Sequence, residues 1–354
     1  MVPYVRIRWL PRNWLWRPGS SGYLLHMTRA ATTALMFAIA ATPALGQYTL
    51  IGLEPLPDDA RSFAVGIDDQ GRIVGTSRNA DGRRMAVVWP AAGEPPIALG
   101  LLNGGIESEG VAIVDGVAIG IGSRPCGQRG AFSWSSTTGL QAFGPTECTP
   151  MEVVDLNASG DALLLVGIRR LPAVWPIDGG DPSSLETWGE PASVFEIDPD
   201  GRVCGSSAFH PDDPGVARAI QWNVDGSTRL LDRLEVGSDR ADVANARNGR
   251  GLIVGQSGLA GVTRATVWDG VAAPIDAGAA LGMDVSSAFN SVNESSQAVG
   301  GSSLGPIVWD ADNGARVLSQ LAGGSADSWE LLSALEINES GVVVGEGIEP
   351  GGDL

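Results

Sequence analysis

One phrase recurs along the chain, and this repetition restricts the possible folds more than any other feature. The phrase consists of one or two apolar residues, a turn rich in Asn, Asp and Gly, and an apolar run that ends in Val-Gly or a close variant. Its seven copies end at Gly75, Gly122, Gly167, Gly205, Gly255, Gly300 and Gly345. These glycines are 47, 45, 38, 50, 45 and 45 residues apart. A repeat of this period indicates a fold built from similar units that stack on one another.

A second phrase, which ends in tryptophan, follows six of the seven copies. Its tryptophans are Trp89, Trp134, Trp175, Trp222, Trp268 and Trp309. The turn residues tolerate the positive φ that hairpins need. Both apolar runs carry apolar residues at successive positions, which indicates strands buried on both faces. We therefore predict four strands per repeat, with residues 48–53, 97–102 and 229–234 as examples of first strands.

The repeat length predicts the fold class. Four-stranded propeller blades take roughly 40–50 residues each. We predict an all-β chain that forms a β-propeller of about seven four-stranded repeats, and another β-repeat solenoid is the alternative. The seventh copy reaches Leu354 without a Trp phrase, so the last blade is expected to be incomplete. A truncated C-terminus is the preferred explanation, because residues 48–53 are assigned to the first blade; closure of the ring by an N-terminal strand is the alternative.

The order of the two phrases, Asn/Asp-x-x-Gly-x-Val-Val-Gly and then Ala-x-x-Trp, resembles the HAF repeat of bacterial secreted proteins. The resemblance covers about residues 48–348. The copies that end at Gly75, Gly205, Gly255 and Gly345 match well, whereas the second has a shortened turn at Asp115-Gly116 and the sixth has Ser295-Ser296 where the turn glycine belongs. The resemblance implies a propeller-like fold and an extracellular location. It implies no activity, because this family is defined by its repeats.

The N-terminal part of the chain has the pattern of an export signal. Met27-Thr28-Arg29 precedes an uncharged, Ala-rich run that ends in Ala44-Leu45-Gly46. A short cationic start, an apolar run and a small-residue end are typical of a signal peptide. We predict a signal peptide over residues 27–46, cleaved near Gly46, and a single propeller-like domain over residues 47–354. Residues 1–26 match neither pattern and are interpreted as an over-extended, disordered start.

The charge of the chain excludes some classes of partner. The chain has no lysine, its net charge is −18, and without the five arginines of residues 1–46 it would be −23. Such a surface repels nucleic acid and anionic lipid, whose binding depends on cationic patches. Of the two histidines, His26 lies in the leader and only His210 remains. Sites that need several histidines are therefore excluded within one chain.

The cysteines and two acidic turns are the candidates for covalent or metal chemistry. Cys204 replaces a valine in a repeat and is expected to be buried, whereas Cys126 and Cys148 lie in loops that a disulfide could join in an exported protein. Asp310, Asp312 and Asn313 are weak calcium candidates in one turn, and Asp198 and Asp200 belong to the other, because each turn holds oxygen ligands near a glycine. Turn chemistry explains the same residues. No cofactor is predicted, with calcium as a minor possibility.

The repeated tryptophans and arginines have a structural and a functional interpretation each. The tryptophans are expected to pack between blades, while Trp188 and Trp329 fall outside the pattern and are the candidates for an exposed aromatic contact. An arginine precedes the Trp in five copies, as Arg84, Arg129, Arg170, Arg218 and Arg264. These five could form a ring that binds an anion. We favour Arg–carboxylate pairs that tie each blade to an Asp-rich turn.

Two functions remain open from the sequence. The preferred one is a non-catalytic secreted or cell-surface scaffold that binds an unknown protein or glycan as a monomer, outside the membrane once the signal is cleaved. The alternative is a secreted carbohydrate-active enzyme with a carboxylate pair at the mouth of the propeller channel. The sequence shows no nucleophile elbow, zinc-binding His pair or phosphate-binding Gly loop, so a non-enzymatic role is favoured.

Overall fold

The fold consists of seven antiparallel sheets of four strands each. The computed structural model describes residues 36–42, 47–187, 192–210, 213–270, 272–322 and 329–348. Within these residues the chain forms 28 strands, a 3₁₀ helix at Ala277–Leu281 and the short α-helix α1 at Leu318–Leu321. The all-β, seven-sheet architecture predicted from the repeat is confirmed.

Six sheets are built from four consecutive strands, and in each the order in space follows the order in sequence. The first sheet contains β3 (Asp59–Ile67), β4 (Ile73–Asn79), β5 (Arg84–Trp89) and β6 (Ile97–Ala98). The second contains β7 (Ser108–Val114), β8 (Val117–Ser123), β9 (Arg129–Ser135) and β10 (Gly139–Phe143). The third contains β11 (Met151–Leu156), β12 (Asp161–Val166), β13 (Leu171–Pro176) and β14 (Ser183–Ser184).

The next three sheets repeat this plan. The fourth contains β15 (Ala192–Ile197), β16 (Val203–His210), β17 (Asp213–Trp222) and β18 (Thr228–Leu230). The fifth contains β19 (Val243–Arg247), β20 (Ile253–Leu259), β21 (Val262–Trp268) and β22 (Ile275–Asp276). The sixth contains β23 (Ser287–Val292), β24 (Ala298–Ser302), β25 (Gly305–Asp310) and β26 (Gly314–Val317).

The seventh sheet joins strands from the two ends of the chain. The C-terminal copy supplies only β27 (Glu330–Ile337) and β28 (Val343–Ile348), but the sheet has four strands, so the prediction of an incomplete last blade was wrong. The other two are β1 (Met36–Thr42) and β2 (Gln47–Leu53), and the order across the sheet is β27-β28-β1-β2. The assignment of residues 48–53 to the first blade was therefore wrong. Closure by N-terminal strands, which that assignment disfavoured, is what the structure shows.

The predicted phase of the repeat is shifted by one strand. Residues 97–102 and 229–234 were predicted to begin a blade, but β6 and β18, which begin these segments, are the fourth strands of the first and fourth sheets. Each sheet instead begins with the strand that precedes the Asn/Asp turn. The predicted disordered start at residues 1–26 lies outside the described residues. The division into a signal peptide and a domain stays a prediction.

Every first strand carries a β-bulge at the same place, and the bulge explains the repeated glycine. Two residues of the first strand lie opposite one residue of the second strand at this point. At Gly300, a Cβ atom would lie 2.0 Å from the carbonyl oxygen of Ala288 on the first strand. The same clash, at 1.9–2.3 Å, would arise at Gly75, Gly120, Gly205 and Gly255. A side chain is excluded there because the backbone of the bulged strand fills its space.

Two of the predicted repeat glycines do not occupy this position. In the second sheet it is Gly120, not Gly122, that pairs with the bulge residue Gly110. In the third sheet Leu164 pairs with Val153, whereas Gly167 lies in the following hairpin with φ of +77°. Sequence spacing misassigned these copies because other glycines lie two or three residues away. The remaining five glycines were assigned to equivalent positions.

We expect Gly300→Ala to lower the free energy of unfolding by about 2–4 kcal/mol, because the new methyl group cannot fit beside the carbonyl of Ala288. The matched control is Gly301→Ala on the same strand, where a Cβ would meet no atom within 4 Å. The control should change stability by about 0.5 kcal/mol or less. Urea denaturation of both variants measures the difference, and equal stability would contradict the steric explanation.

The turn between the first and second strands is held by its leading Asn or Asp. In six sheets the side-chain Oδ1 of this residue accepts a hydrogen bond from the backbone N–H four residues later, at 2.8–2.9 Å. The six residues are Asp68, Asn157, Asp198, Asn248, Asn293 and Asn338, and each is buried. The turn glycine at the third residue after them has positive φ, and Ser296 adopts φ of +61° in its place. The prediction that Asn, Asp and Gly residues form the turn between the first and second strands is therefore confirmed.

The same side chains join neighbouring sheets into a ring. The Nδ2 of Asn293 donates to the carbonyl of Asn338, and Asn338 donates to the carbonyl of Asp68, both at 3.0 Å. Asn157 and Asn248 make the same contact with the next sheet. The bond from Asn338 to Asp68 closes the ring between the seventh and first sheets. Glu336 adds a second contact at this seam, because its Oε2 accepts from the N–H of Ile67 at 3.3 Å.

We expect Asn338→Asp to lower the free energy of unfolding by about 1–3 kcal/mol, because a buried donor becomes an acceptor that faces the carbonyl of Asp68. The Oδ1 contact with Val342 N is kept, so the variant tests the inter-sheet bond specifically. Asn103→Asp, at an exposed loop residue, makes the same change of charge and serves as the control. If thermal denaturation gives equal midpoints for the two variants, the seam does not depend on this amide.

Candidate functional site

The loops of the ring emerge at two ends with different character. Because successive strands are antiparallel, the turns between first and second strands lie at one end, which we call the turn rim. The hairpins between second and third strands and the connections between sheets lie at the other end, the connecting rim. Its segments are residues 54–58, 80–83, 99–107, 124–128, 144–150, 167–170, 185–187, 231–242, 260–261, 277–286, 303–304, 318–322 and 329. The connecting rim includes the longest described connections of the chain.

Exposed large apolar side chains are concentrated at the connecting rim. Among the described residues there are eleven such side chains, and eight lie in its loops or at the adjoining strand ends. These eight are Leu101, Ile106, Ile168, Leu171, Val236, Met283, Leu304 and Leu332. Ile168 and Val236 are 91% and 93% exposed. Clustered exposed apolar surface marks interaction sites, so this rim is the candidate functional surface.

The arginines of the first three sheets form a row of charge pairs at this end of the ring. Arg84 binds two carboxylates of the second sheet, with Nη2 3.0 Å from Glu107 Oε2 and Nη1 2.8 Å from Glu109 Oε1. Arg129 also pairs with Glu109. In the third sheet, Arg170 Nη1 lies 2.6 Å from Glu152 Oε2. These side chains are partly exposed, so the row contributes fixed charges to the connecting rim.

The two arginines of the fourth and fifth sheets are buried and serve the interior. Arg218 Nε lies 3.3 Å from Asp242 Oδ2, and Arg233 Nε lies 2.8 Å from the same oxygen. Arg264 binds Asp276 through two nitrogens and donates to three carbonyls of the segment that follows the 3₁₀ helix. All five repeated arginines therefore pair with carboxylates, as the structural interpretation predicts. Their partners lie mostly on first strands and connections, not in Asp-rich turns.

Two carboxyl groups, one buried and one partly buried, have a raised pKa. Burial raises the pKa of Asp242, while hydrogen bonds from Ser257 and Gly258 and the charges of Arg233 and Arg218 act in the opposite direction. Burial also raises the pKa of Glu346, which is opposed by the hydroxyl of Ser333, 3.4 Å from Oε2. Asp242 lies just before β19 of the fifth sheet and Glu346 lies on β28 of the seventh sheet, so the two belong to different parts of the ring.

Two clefts provide a further test of the enzyme alternative. The larger has a volume of about 500 Å³ and lies between the fifth and sixth sheets, where Leu252, Val267, Ala277 and Trp309 line it. Its one carboxylate, Asp276, is bound by Arg264. The smaller, of about 420 Å³, lies beside Cys148 and Ile168 and has no acidic lining residue. Neither cleft presents two facing carboxylates.

The cysteines form the disulfide that the sequence allows, and Cys204 is buried as expected. Cys126 and Cys148 form a disulfide that joins the second–third hairpin of the second sheet to the connection into the third sheet, with Cα atoms 6.3 Å apart. This separation is ordinary for a disulfide. Cys204 is fully buried on β16, and burial raises the pKa of its thiol well above the usual value, followed by the charges of Glu196 and Asp155. A reactive thiolate is therefore not expected at Cys204.

The calcium candidates are occupied by turn contacts. Asp310 Oδ1 accepts from the backbone N–H groups of Asp312 and Asn313 and from the Asn313 amide, and Oδ2 lies 2.6 Å from Arg316 Nη2. The described residues contain no group of three or more Asp, Glu, His or Cys side chains arranged to hold a metal. Turn chemistry accounts for these residues, and calcium binding stays a prediction without a supporting contact.

The repeated tryptophans pack between sheets, as predicted. Trp89, Trp222, Trp268 and Trp309 are buried, and the indole N–H of three of them donates to a carbonyl just after the fourth strand of the preceding sheet. Trp329 was predicted to be an exposed contact, but it is partly buried against the core around Tyr48 and Leu318. Trp188 lies outside the described residues.

No sequence pattern predicts the connecting rim. Its apolar residues lie in loops of different length and share no repeated motif, so no pattern marked them. Only the alternation of strand direction shows that these loops lie at the same end of the ring. In the described part of the chain, no helix is long and apolar enough to cross a membrane.

Comparison with known proteins identifies the fold but not a family. No family model and no curated protein matches the chain. Among solved structures, the β-propeller domain of the Trilobed protease from Pyrococcus furiosus is 10% identical, with a TM-score of 0.54 over 82% of this chain and 92% of that chain. A TolB-type protein from Agrobacterium tumefaciens is 11% identical, with a TM-score of 0.50 over 88% and 98%. The fold is a β-propeller.

Another TolB, from Acinetobacter baumannii, shows how far these similarities extend. It is 11% identical, with a TM-score of 0.41, and the alignment covers 67% of this chain and 62% of that TolB. The chain therefore spans less than two thirds of that protein. Similarities at this level of identity concern the fold alone.

We expect Glu346→Gln to stabilise the propeller at pH 8 more than at pH 4. A carboxyl with a raised folded pKa retains its proton to a higher pH than in the unfolded chain. Its ionisation therefore destabilises the fold progressively as the pH rises from the usual glutamate pKa through the raised value. Thermal denaturation at several pH values measures the effect. Glu330→Gln, at an exposed residue of the same sheet, removes one charge in the same way and is the control.

Proposed function

We propose that the protein is an exported, non-catalytic propeller scaffold that binds a partner protein at the connecting rim. The observation that carries this proposal is the concentration of exposed apolar side chains at that end of the ring. Membership of the HAF-repeat family of bacterial secreted proteins, suggested by the sequence motifs, is part of the same proposal. The chain acts as a monomer towards its partner, without a cofactor.

The chemistry of the rim favours a protein over a glycan. The eight exposed apolar side chains are aliphatic or methionine, whereas sugars are commonly bound by stacking on aromatic rings. Such side chains suit the apolar core of a protein–protein interface, and the partly exposed charge pairs of Arg84, Arg129 and Arg170 suit its polar border. A glycan is the weaker alternative.

Export is supported by two independent observations. The order of a cationic start, an apolar run and a small-residue end in residues 27–46 is that of a signal peptide. The disulfide between Cys126 and Cys148 suits an oxidising compartment, where such bonds persist. The high negative charge supports solubility outside the cell and disfavours nucleic acid as a partner.

The test compares a rim variant with a control on the opposite end. Ile168→Ser, Val236→Ser and Met283→Ser together remove three highly exposed apolar side chains of the connecting rim. Val224→Ser removes one of similar exposure, 70%, from the turn rim. The chain is expressed with its leader, purified after export and immobilised. It is then exposed to envelope proteins of the encoding bacterium, and bound proteins are identified by quantitative mass spectrometry.

We expect a specific partner to be retained by the wild type and by Val224→Ser, and to be reduced by about ten-fold or more by the triple variant. Loss of a few central apolar anchors typically has this effect on an interface. Equal retention by all three proteins would place the binding surface elsewhere. Turnover of a glycoside by the purified chain would contradict the non-catalytic assignment.

A further inference from the structure

The third strand of the seventh sheet differs from the third strands of the other six. In four of those sheets a tryptophan pairs with the first residue of the second strand, as Trp89 does with Ile73 and Trp268 with Ile253. The same pairing holds for Trp222 and Trp309. Trp134 and Trp175 pair with the second residue of the second strand, Ala118 and Ala162. In the seventh sheet, the residue that pairs with Val343 is Ile39 of β1.

A second register position shows the same departure. Three residues before the tryptophan, the third strands of the six other sheets carry a small residue or a proline. These residues are Ala86, Ala131, Pro172, Ala219, Ala265 and Pro306. In β1 this position holds Met36, which pairs with Glu346. In six sheets the third strand has the pattern Ala/Pro-x-x-Trp. In the seventh sheet, β1 has Met36 and Ile39 at these two register positions.

The strand β1 is also the part of the sheet that export would remove. Cleavage near Gly46 separates Met36–Thr42 from the chain and leaves β2, which begins at Gln47. In the sheet, β1 is the only neighbour of β2, and it covers the outer edge of β28. Val343 and Val344 of β28 are fully buried in two core clusters. Removal of β1 therefore leaves a gap one strand wide in the sheet, between β28 and β2.

We propose that this place is a strand-acceptor site, which β1 fills before processing. After cleavage, the site binds an extended peptide segment with the pattern small residue, two intervening residues and Trp. The backbone of the segment pairs antiparallel with β28, as β1 does. The tryptophan takes the register position of Ile39. In three sheets the indole at this position donates to a carbonyl of the preceding connection, a hydrogen bond that isoleucine cannot make.

The proposed removal of β1 rests on the proposed export. The acceptor site itself is defined by the strand pairing of β28 and does not depend on export. It can therefore be tested on the full chain. Ala38→Pro places a residue without an N–H at the centre of β1, which a central strand does not tolerate. The probe is a fluorescent peptide with the sequence of β21, Val262–Trp268, and the control peptide has alanine in place of its tryptophan. Fluorescence anisotropy measures binding.

We expect the wild-type chain to bind neither peptide, because β1 occupies the site. The Ala38→Pro chain should bind the β21 peptide with saturation, and the control peptide should bind about ten-fold more weakly or less. Equal binding of the two peptides, no saturable binding, or a dimer of the variant that excludes the peptide would each overturn the proposal. Size-exclusion chromatography with light scattering identifies the dimer.

A second variant decides the question if Ala38→Pro does not fold. Ile39→Trp introduces the residue that the six other sheets have at this register, and it should raise the midpoint of thermal unfolding. A lower midpoint would show that the place does not accept the repeat pattern. The Ala38→Pro chain should bind the β21 peptide equally well with and without the three rim substitutions. Failure of the rim proposal and failure of the acceptor proposal are therefore separable, and mass spectrometry of the exported chain tests cleavage independently.

Discussion

The hydrogen bonds of the buried Asn and Asp side chains at the turn rim hold the ring together. Each side chain accepts a bond within its own turn, so the turn that sets the hairpin also orients the group that reaches the next sheet. Asparagine has a donor left for the neighbouring carbonyl, as Asn293 and Asn338 show. Aspartate has none, and the contact is reversed. Asp68 accepts from the N–H of Gly116 at 3.0 Å, and Asp198 pairs with the buried Arg247.

The bulge in each first strand is the second constraint, and it acts on the neighbouring strand. It moves a carbonyl of the first strand into the space of a side chain, which makes glycine the favoured residue opposite it at Gly75 or Gly255. The third sheet has a bulge at the same place and Leu164 opposite it. Glycine is therefore favoured at this position but is not the only residue that a sheet of this ring accommodates.

The sequence predicted the number of sheets and the strands that end in Gly and Trp, but not the phase of the repeat. A cyclic pattern of four strands reads the same from any starting strand, and only the contacts with neighbouring sheets show where a sheet begins. The N-terminal strand β1 gave no strand signal, because its apolar run has the composition of an export leader. The arginines could be expected to find carboxylates in so acidic a chain. That Arg84 and Arg129 would share Glu109 depends on the packing of two sheets, which sequence spacing does not encode.

The seam between the seventh and first sheets explains how a ring can be closed while one of its strands is replaceable. The contacts across it start from the first strand of the seventh sheet and its turn: Glu336 accepts from Ile67, Asn338 donates to Asp68, and the N–H of Glu339 donates to Asp69 Oδ1 at 3.0 Å. None of these involves β1. Likewise, Tyr48 and Leu53 hold β2 against the cores of the adjoining sheets. The inner seam closes the ring, and β1 adds the third strand of one sheet. A change of strand at that place leaves these three hydrogen bonds across the seam intact.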